Sequence, residues 1–115
     1  MPIQRFHPGP RMSEMVVHND TVYLAGQIAD DGSTDVESQT RDVLRQIDAL
    51  LAEAGTDKSR LLTATVYLAD IGAFAAMNRA WDEWVDRANP PARATVEARL
   101  AAPEYLVEIQ VMAGR

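Results

Sequence analysis

The side chains here that could act on a small molecule are mainly arginines and carboxylates. A guanidinium stays charged at every working pH and presents paired donors in one plane, so it can grip a carboxylate bidentately, which an ammonium cannot reproduce. A carboxylate beside a bound molecule can take a proton from water and return one to nitrogen. The formal net charge is −6 and the eleven Lys and Arg residues are scattered. An anion site must therefore be built locally, from a well-placed arginine or from backbone N–H groups. The same scatter leaves no counterion-releasing surface, so nucleic acid is not an expected partner. Cysteine is absent, which excludes a disulfide framework, a thiolate metal site and a thiol nucleophile. His7 and His18 have no His or carboxylate at ligand spacing, and Ser13, Ser33, Ser38 and Ser59 lack nucleophile-elbow surroundings. No glycine-rich phosphate loop is present.

The elements that must position any site follow from length and periodicity. At 115 residues the chain can bury one modest core, so a single domain over residues 1–115 is expected. Met1 to Pro8 lacks the apolar core of a signal peptide, and no apolar run approaches the roughly 20 residues that cross a bilayer. The expectation is a soluble cytoplasmic protein without membrane contact. Met15 to Val17 and Thr21 to Ile28 read as strands around the polar cluster His18-Asn19-Asp20. From Val36, the residues Val43, Ile47, Leu50, Leu51 and Ala54 follow helical spacing until Gly55 supplies a stop. Leu62 to Leu68 alternates as a strand ending at Asp70, a good helix N-cap. A second helix follows, with Phe74, Asn78, Trp81, Val85 and Ala88 in one stripe, and Pro90-Pro91 prevents its continuation. Two last strands are expected over Arg93 to Leu100 and Tyr105 to Ala113. This order points to an α+β fold, a sheet with both helices on one face.

Alternation then assigns faces. In the strand after Pro91, Ala94, Val96, Ala98 and Leu100 share one side, expected to meet the helices, and Arg93, Thr95, Glu97 and Arg99 share the other. In the last strand Tyr105, Val107, Ile109 and Val111 form the apolar row, opposite Leu106, Glu108, Gln110 and Met112. The second face is thus mixed, with Tyr67, several Thr, Arg93 and Glu108 together. Such a face suits packing against another copy of the sheet, and it equally suits an antiparallel sheet with one wet side.

Several segments carry a family resemblance. Thr21-Val22-Tyr23-Leu24-Ala25-Gly26-Gln27-Ile28 resembles the strand ending in Gly-Gln-Ile or Gly-Gln-Val of the RidA (reactive intermediate/imine deaminase, formerly YjgF) family. Leu62 to Asp70 is similar to its central strand, Phe74 to Trp81 to its Phe-x-x-x-Asn-x-x-aromatic helix, and Pro91-Ala92-Arg93-Ala94-Thr95-Val96 to its Pro-x-Arg-x-x-Val signature, with Val107-Glu108-Ile109 following. The resemblance implies a chorismate-mutase-like fold, a mixed sheet with two helices on one face, in a homotrimer with clefts between subunits. It implies hydrolysis of 2-imino and 2-enamino acids to 2-oxo acids and ammonia, with no cofactor and no metal.

Site residues are carried over by the same match. Arg93 is implied as the carboxylate anchor; its alternative is an ion pair with Glu97 or Glu108. Glu108 stands where the family has a glutamate proposed to activate water, and it could also simply neutralise Arg93. Thr95 occupies a position that often holds cysteine and is credited with holding the substrate nitrogen or water through its backbone. Asn78 aligns with an asparagine near the cleft, or serves as an interface amide. Gly26 and Gln27 align with the family turn, where glycine permits close approach of ligand or neighbour, or marks a strand bulge. The family's Gly-Pro-Tyr is replaced by Gly9-Pro10-Arg11-Met12. Arg11 could then supply a second cation for a larger or dianionic substrate, or be a solvated arginine. Trp81 and Trp84 are expected to pack. Two further readings compete with the hydrolase: a trimeric small-carboxylate-binding or regulatory protein without turnover, suggested by the lost tyrosine, and an endoribonuclease, which the acidic charge disfavours.

Overall fold

The computed structural model describes residues 2–115. One sheet is built from β1 (Gln4–Phe6), β2 (Met15–His18), β3 (Thr21–Leu24), β4 (Gln27–Ile28), β5 (Leu61–Leu68), β6 (Ala92–Glu97) and β7 (Val107–Gly114). Helix α1 (Val36–Glu53) lies between β4 and β5, and α2 (Phe74–Trp84) between β5 and β6. The α+β reading holds, with both helices against one face of a mixed sheet.

Local chemistry accounts for most boundaries. Asn19 and Asp20 take φ of 51° and 65° between the paired residues His18 and Thr21, the left-handed pair that a two-residue hairpin requires and that Asn and Asp tolerate. Helix α1 is capped by the Asp35 carboxylate, which accepts from the Ser38 N–H at 2.8 Å, and it gives way to Gly55 at φ 77°. Helix α2 stops at Trp84, short of the expected Ala88. Val85 is extended, and the Asp86 carboxylate takes the Ala88 N–H at 3.0 Å, so a local side-chain turn displaces the helical bond. Thr21 to Ile28 is not one strand. It breaks at Ala25-Gly26, and Gln27 and Ile28 pair with Ile109 and Glu108 of β7. The last strand begins at Val107 because Tyr105 closes a turn onto the Ala102 carbonyl. Strand β1 was not foreseen: three residues carry no periodicity, and pairing with β2 alone defines them.

The strands run β1-β2-β3-β7-β5-β6, with β4 joining β7 beyond the end of β3. All pairs are antiparallel except β5 with β6, and parallel neighbours need a crossover, which α2 provides. Met15, Val17, Val22, Leu24, Ala64, Val66, Leu68, Val107, Ile109 and Val111 bury one sheet face under Val43, Leu44, Ile47, Leu51, Met77 and Trp81 of the helices. The expected inward row of β7 is correct.

The expected orientation of β6 is not. Ala64, Val66 and Leu68 face the helices, and their register partners are Arg93, Thr95 and Glu97. Paired residues share a pleat direction, so it is this polar row that turns toward α2. Ala94 and Val96 lie on the outer face instead, with Val96 exposed. The hydrophobic pattern of β6 misleads because β6 is an edge strand, flanked on one side only, where little core is available to reward apolar residues.

Buried polar groups on α1 fix the loops. The Asp42 carboxylate, nearly inaccessible, accepts from Asp30 N–H at 2.8 Å, Gln46 Nε2 at 3.0 Å and Arg45 Nη2 at 2.8 Å. Burial alone would raise its pKa, but these donors outweigh burial and hold it below the ordinary 3.8. A carboxylate depressed in the folded state stabilises fully above its unfolded pKa and loses that contribution as pH falls through the folded value. In urea titrations, wild type should therefore exceed Asp42→Asn by a constant margin above about pH 5, with the margin shrinking below about pH 4. A margin independent of pH would show that the charge contributes nothing.

Candidate functional site

Arg93 projects from β6 onto the face of α2 that carries Phe74, Asn78 and Trp81, residues at i, i+4 and i+7. Its Nη1 donates to Asn78 Oδ1 at 2.9 Å, and its Cζ lies 5.0 Å from the Trp81 ring centroid and 5.8 Å from that of Phe74. Among the described residues no carboxylate lies within ion-pair distance of it. Glu97, one of its two expected partners, instead accepts from the Ile71 N–H at 3.0 Å. Partial burial pushes the guanidinium below its ordinary pKa, with the charge of Asp82 opposing the shift; an arginine remains a cation regardless. Among the described residues, Nη1 carries the hydrogen bonds that Arg93 makes, leaving Nε and Nη2 without a partner. These two form an edge that matches the spacing of carboxylate oxygens. Thr95, next along the same row, has a shielded hydroxyl oxygen without a hydrogen-bond partner.

Glu108 lies on the other side of the sheet. It pairs with Tyr67 and Ile28, in the outward row with Gln110 and Met112. The expectation that Arg93 and Glu108 share a face is overturned, because the register of β6 turns Arg93 inward while Glu108 keeps the outward parity expected of it. Gly26 explains how Glu108 is seated. A Cβ at position 26 would overlap a Glu108 carboxylate oxygen and stand 2.9 Å from its carboxyl carbon. The close approach that glycine permits here is thus to Glu108, and the chain breaks at this point instead of bulging.

Gln27 is buried, and its Nε2 donates to Glu14 Oε2 at 3.1 Å and to the Ala25 carbonyl at 3.0 Å. It braces the Ala25-Gly26 turn, with its amide facing the interior. The Glu14 carbonyl accepts from Ala25 N–H at 2.9 Å, which ties the end of the segment bearing Arg11 and Met12 to the Ala25-Gly26 turn. Arg11 itself is exposed.

Two groups thus emerge within one chain. Arg93, Thr95 and Asn78 stand with Phe74 and Trp81 on the helix face; Glu108 and Gly26 stand across the sheet, bordered by the N-terminal segment. A surface depression of about 620 Å³ under the loop after β6 is lined by Glu97, Arg99 and Tyr105 among others, and it includes neither Arg93 nor Glu108. Sequence reasoning did not foresee the aromatic seat of Arg93. Its signal was the Phe74–Asn78–Trp81 spacing, read as a packing stripe and a family pattern, with only Asn78 placed near the cleft. Trp84 does pack, with rings 5.4 Å from Trp81 and Nε1 bonded to Asp48 at 3.0 Å.

Residues 2–114 match the family model described as Endoribonuclease L-PSP. A RutC family protein of Haemophilus influenzae is 49% identical over 98% of both chains, and the Escherichia coli RutC family protein YoaB is 45% identical over 99% of both. The crystal structure of a YjgF family member from Neisseria meningitidis superposes with a TM-score of 0.97 at 47% identity, covering 100% of this chain and 96% of that one. The chain belongs to the RidA/YjgF family. Its fold is accordingly the chorismate-mutase-like fold of that family.

The seating of Glu108 can be tested through stability. Overpacking a fitted site costs about 1–3 kcal/mol, so Gly26→Ala should lose that much in urea denaturation. In a Glu108→Ala background the same change should cost under about 0.5 kcal/mol, since its obstacle is gone. Equal costs in both backgrounds would mean that Gly26 is required for another reason.

Proposed function

We propose that this RidA/YjgF family protein hydrolyses 2-imino and 2-enamino acids to 2-oxo acids and ammonia, in clefts between the subunits of a homotrimer. The observation that supports this most is Arg93: a cation with no carboxylate partner among the described residues, seated by an amide and two aromatic rings, with its Nε–Nη2 edge unpaired. A substrate carboxylate supplies the missing counter-charge. One chain keeps Arg93 and Glu108 on opposite sides of its sheet, so a site using both must take one from each of two copies. The outer face favours such association, since Tyr23 and Val96 are 42% and 41% exposed there.

With the carboxylate on Arg93, water oxygen attacks the imine carbon while Glu108 takes a proton from the water. Returned to nitrogen, that proton completes the carbinolamine. Glu108 then takes the carbinolamine hydroxyl proton and passes it to the amino group, so that the carbonyl forms as the carbon–nitrogen bond breaks, ammonia leaves and the 2-oxo acid remains, a 2-enamino acid first tautomerising to the imine. Thr95 would hold the nitrogen or the water through its backbone, Asn78 acts by orienting Arg93, and no cofactor or metal enters the balance. A carboxylate-binding protein without turnover is the second reading, favoured by Arg11 and Met12 where the family's deaminases place tyrosine. Endoribonuclease activity, which the family model's description names, sits poorly with a net charge of −6 and scattered basic residues.

The test is to generate 2-iminobutyrate with an amino-acid oxidase and measure competition with semicarbazide trapping. Removing a charged hydrogen-bond partner costs about 1.5–3 kcal/mol, so Arg93→Ala should lower kcat/KM by roughly 10- to 150-fold. Glu108→Gln should lower kcat by about 100-fold or more while 2-oxobutyrate binding persists. Wild type competing no better than Arg93→Ala would end the hydrolase reading; retained 2-oxobutyrate binding would then support a carboxylate receptor. Light scattering should give three times the chain mass, and a monomer would eliminate the shared cleft.

A further inference from the structure

We infer that Phe74 is a specificity-determining residue, an open apolar wall beside Arg93 that favours imino acids with aliphatic or aromatic side chains and disfavours those carrying a second carboxylate. This deepens the proposed hydrolysis and rests on it.

The two rings around Arg93 differ in exposure. Trp81 is 6% exposed and Phe74 42%. Trp81 belongs to the core with Met77 and is the buried support of the guanidinium. Phe74 lies outside that core, yet its ring centroid is 5.8 Å from Arg93 Cζ. A carboxylate hydrogen-bonded to the Nε–Nη2 edge sets its own carbon roughly 4 Å from Cζ, so the substrate's side chain begins within reach of this ring. Ile71, three residues earlier, is also exposed.

The polar alternatives near that wall are already engaged or face elsewhere. Asn78 Oδ1 accepts from Arg93, and Glu97 accepts from the Ile71 N–H. Arg11, the cation that would suit a second acidic group, lies in the segment tied through Glu14 to the Ala25-Gly26 turn, so in the shared cleft it would come with Glu108 from the other copy and not from the chain that bears Phe74. A second carboxylate beside Phe74 would shed water against an apolar ring without gaining a charged partner from that wall, which is unfavourable by more than an apolar group's transfer gain.

The experiment compares imines generated from alanine, leucine, phenylalanine and aspartate by matching amino-acid oxidases, each in competition with semicarbazide, for wild type, Phe74→Leu and Phe74→Ala. Wild type should prefer the leucine- and phenylalanine-derived imines. Phe74→Ala should lower kcat/KM for these by about tenfold or more while changing the alanine-derived imine less than about threefold. Phe74→Leu should keep most of the leucine-derived activity. A uniform loss across all four imines overturns the proposal, and so does a wild-type preference for the aspartate-derived one. A uniform loss together with an altered mass by light scattering would assign Phe74 to a subunit contact instead. If wild type hydrolyses none of the four, the hydrolase reading fails separately, and calorimetry with pyruvate and 4-methyl-2-oxopentanoate decides the role of Phe74. Weakening in Phe74→Ala confined to the larger acid supports it, and equal weakening of both overturns it.

Discussion

The parallel docking of β6 onto β5 governs the direction of Arg93, and the character of the site depends on it. Register partners share a pleat, so the buried row Ala64, Val66, Leu68 commits Arg93, Thr95 and Glu97 to the helix side. A guanidinium at the margin of a core loses hydration and must be compensated. Here the compensation is an amide oxygen at 2.9 Å and the faces of Trp81 and Phe74. Contacts of the cation–π kind contribute about 0.5–2 kcal/mol each according to desolvation. They steady the charge without neutralising it. A carboxylate in the place of Asn78 would have completed an ion pair and closed the anion site.

Glu108 answers to a separate constraint. Strand β7 is central, bonded to β3, β4 and β5, so its parity is held by pairing on both sides and its apolar row is wholly buried. Glu108 is left on the outer face, where Gly26 makes room for its carboxylate. That break in the chain is itself supported from below, since Gln27 bonds both Glu14 and the Ala25 carbonyl. Helix α1 extends the support. Gln39 bonds the Ser33 and Glu104 carbonyls and the Leu106 N–H, and Asp42 takes the Asp30 N–H. Buried polar groups with full hydrogen bonding hold both ends of the β4–β7 region in place.

The two groups have complementary needs. Arg93 lacks an anion and offers an edge to one, while Glu108 is a fixed carboxylate against backbone. In the proposed trimer, Arg93 of one copy and Glu108 of another would complete one site, and association would cover apolar groups such as Tyr23 and Val96.

Much of this was legible in the residues. The spacing of Val43, Ile47, Leu50 and Leu51 dictated α1, Asn19-Asp20 the hairpin, and Val107, Ile109 and Val111 the inward row of β7, because long apolar repeats and turn residues act locally and leave few alternatives. Arg93, Asn78 and Glu108 were identifiable as candidates from type and family pattern. Tertiary structure decided the rest. The sense of β6 reversed the face assigned to Arg93, since an edge strand is oriented by its neighbour's register and its own apolar residues have little core to seek. The Gly26–Glu108 contact joins positions far apart in the chain, and the pairing of β4 with β7 creates it. Composition and periodicity describe each segment by itself; which side of the sheet a charge occupies is a property of the pairing between segments.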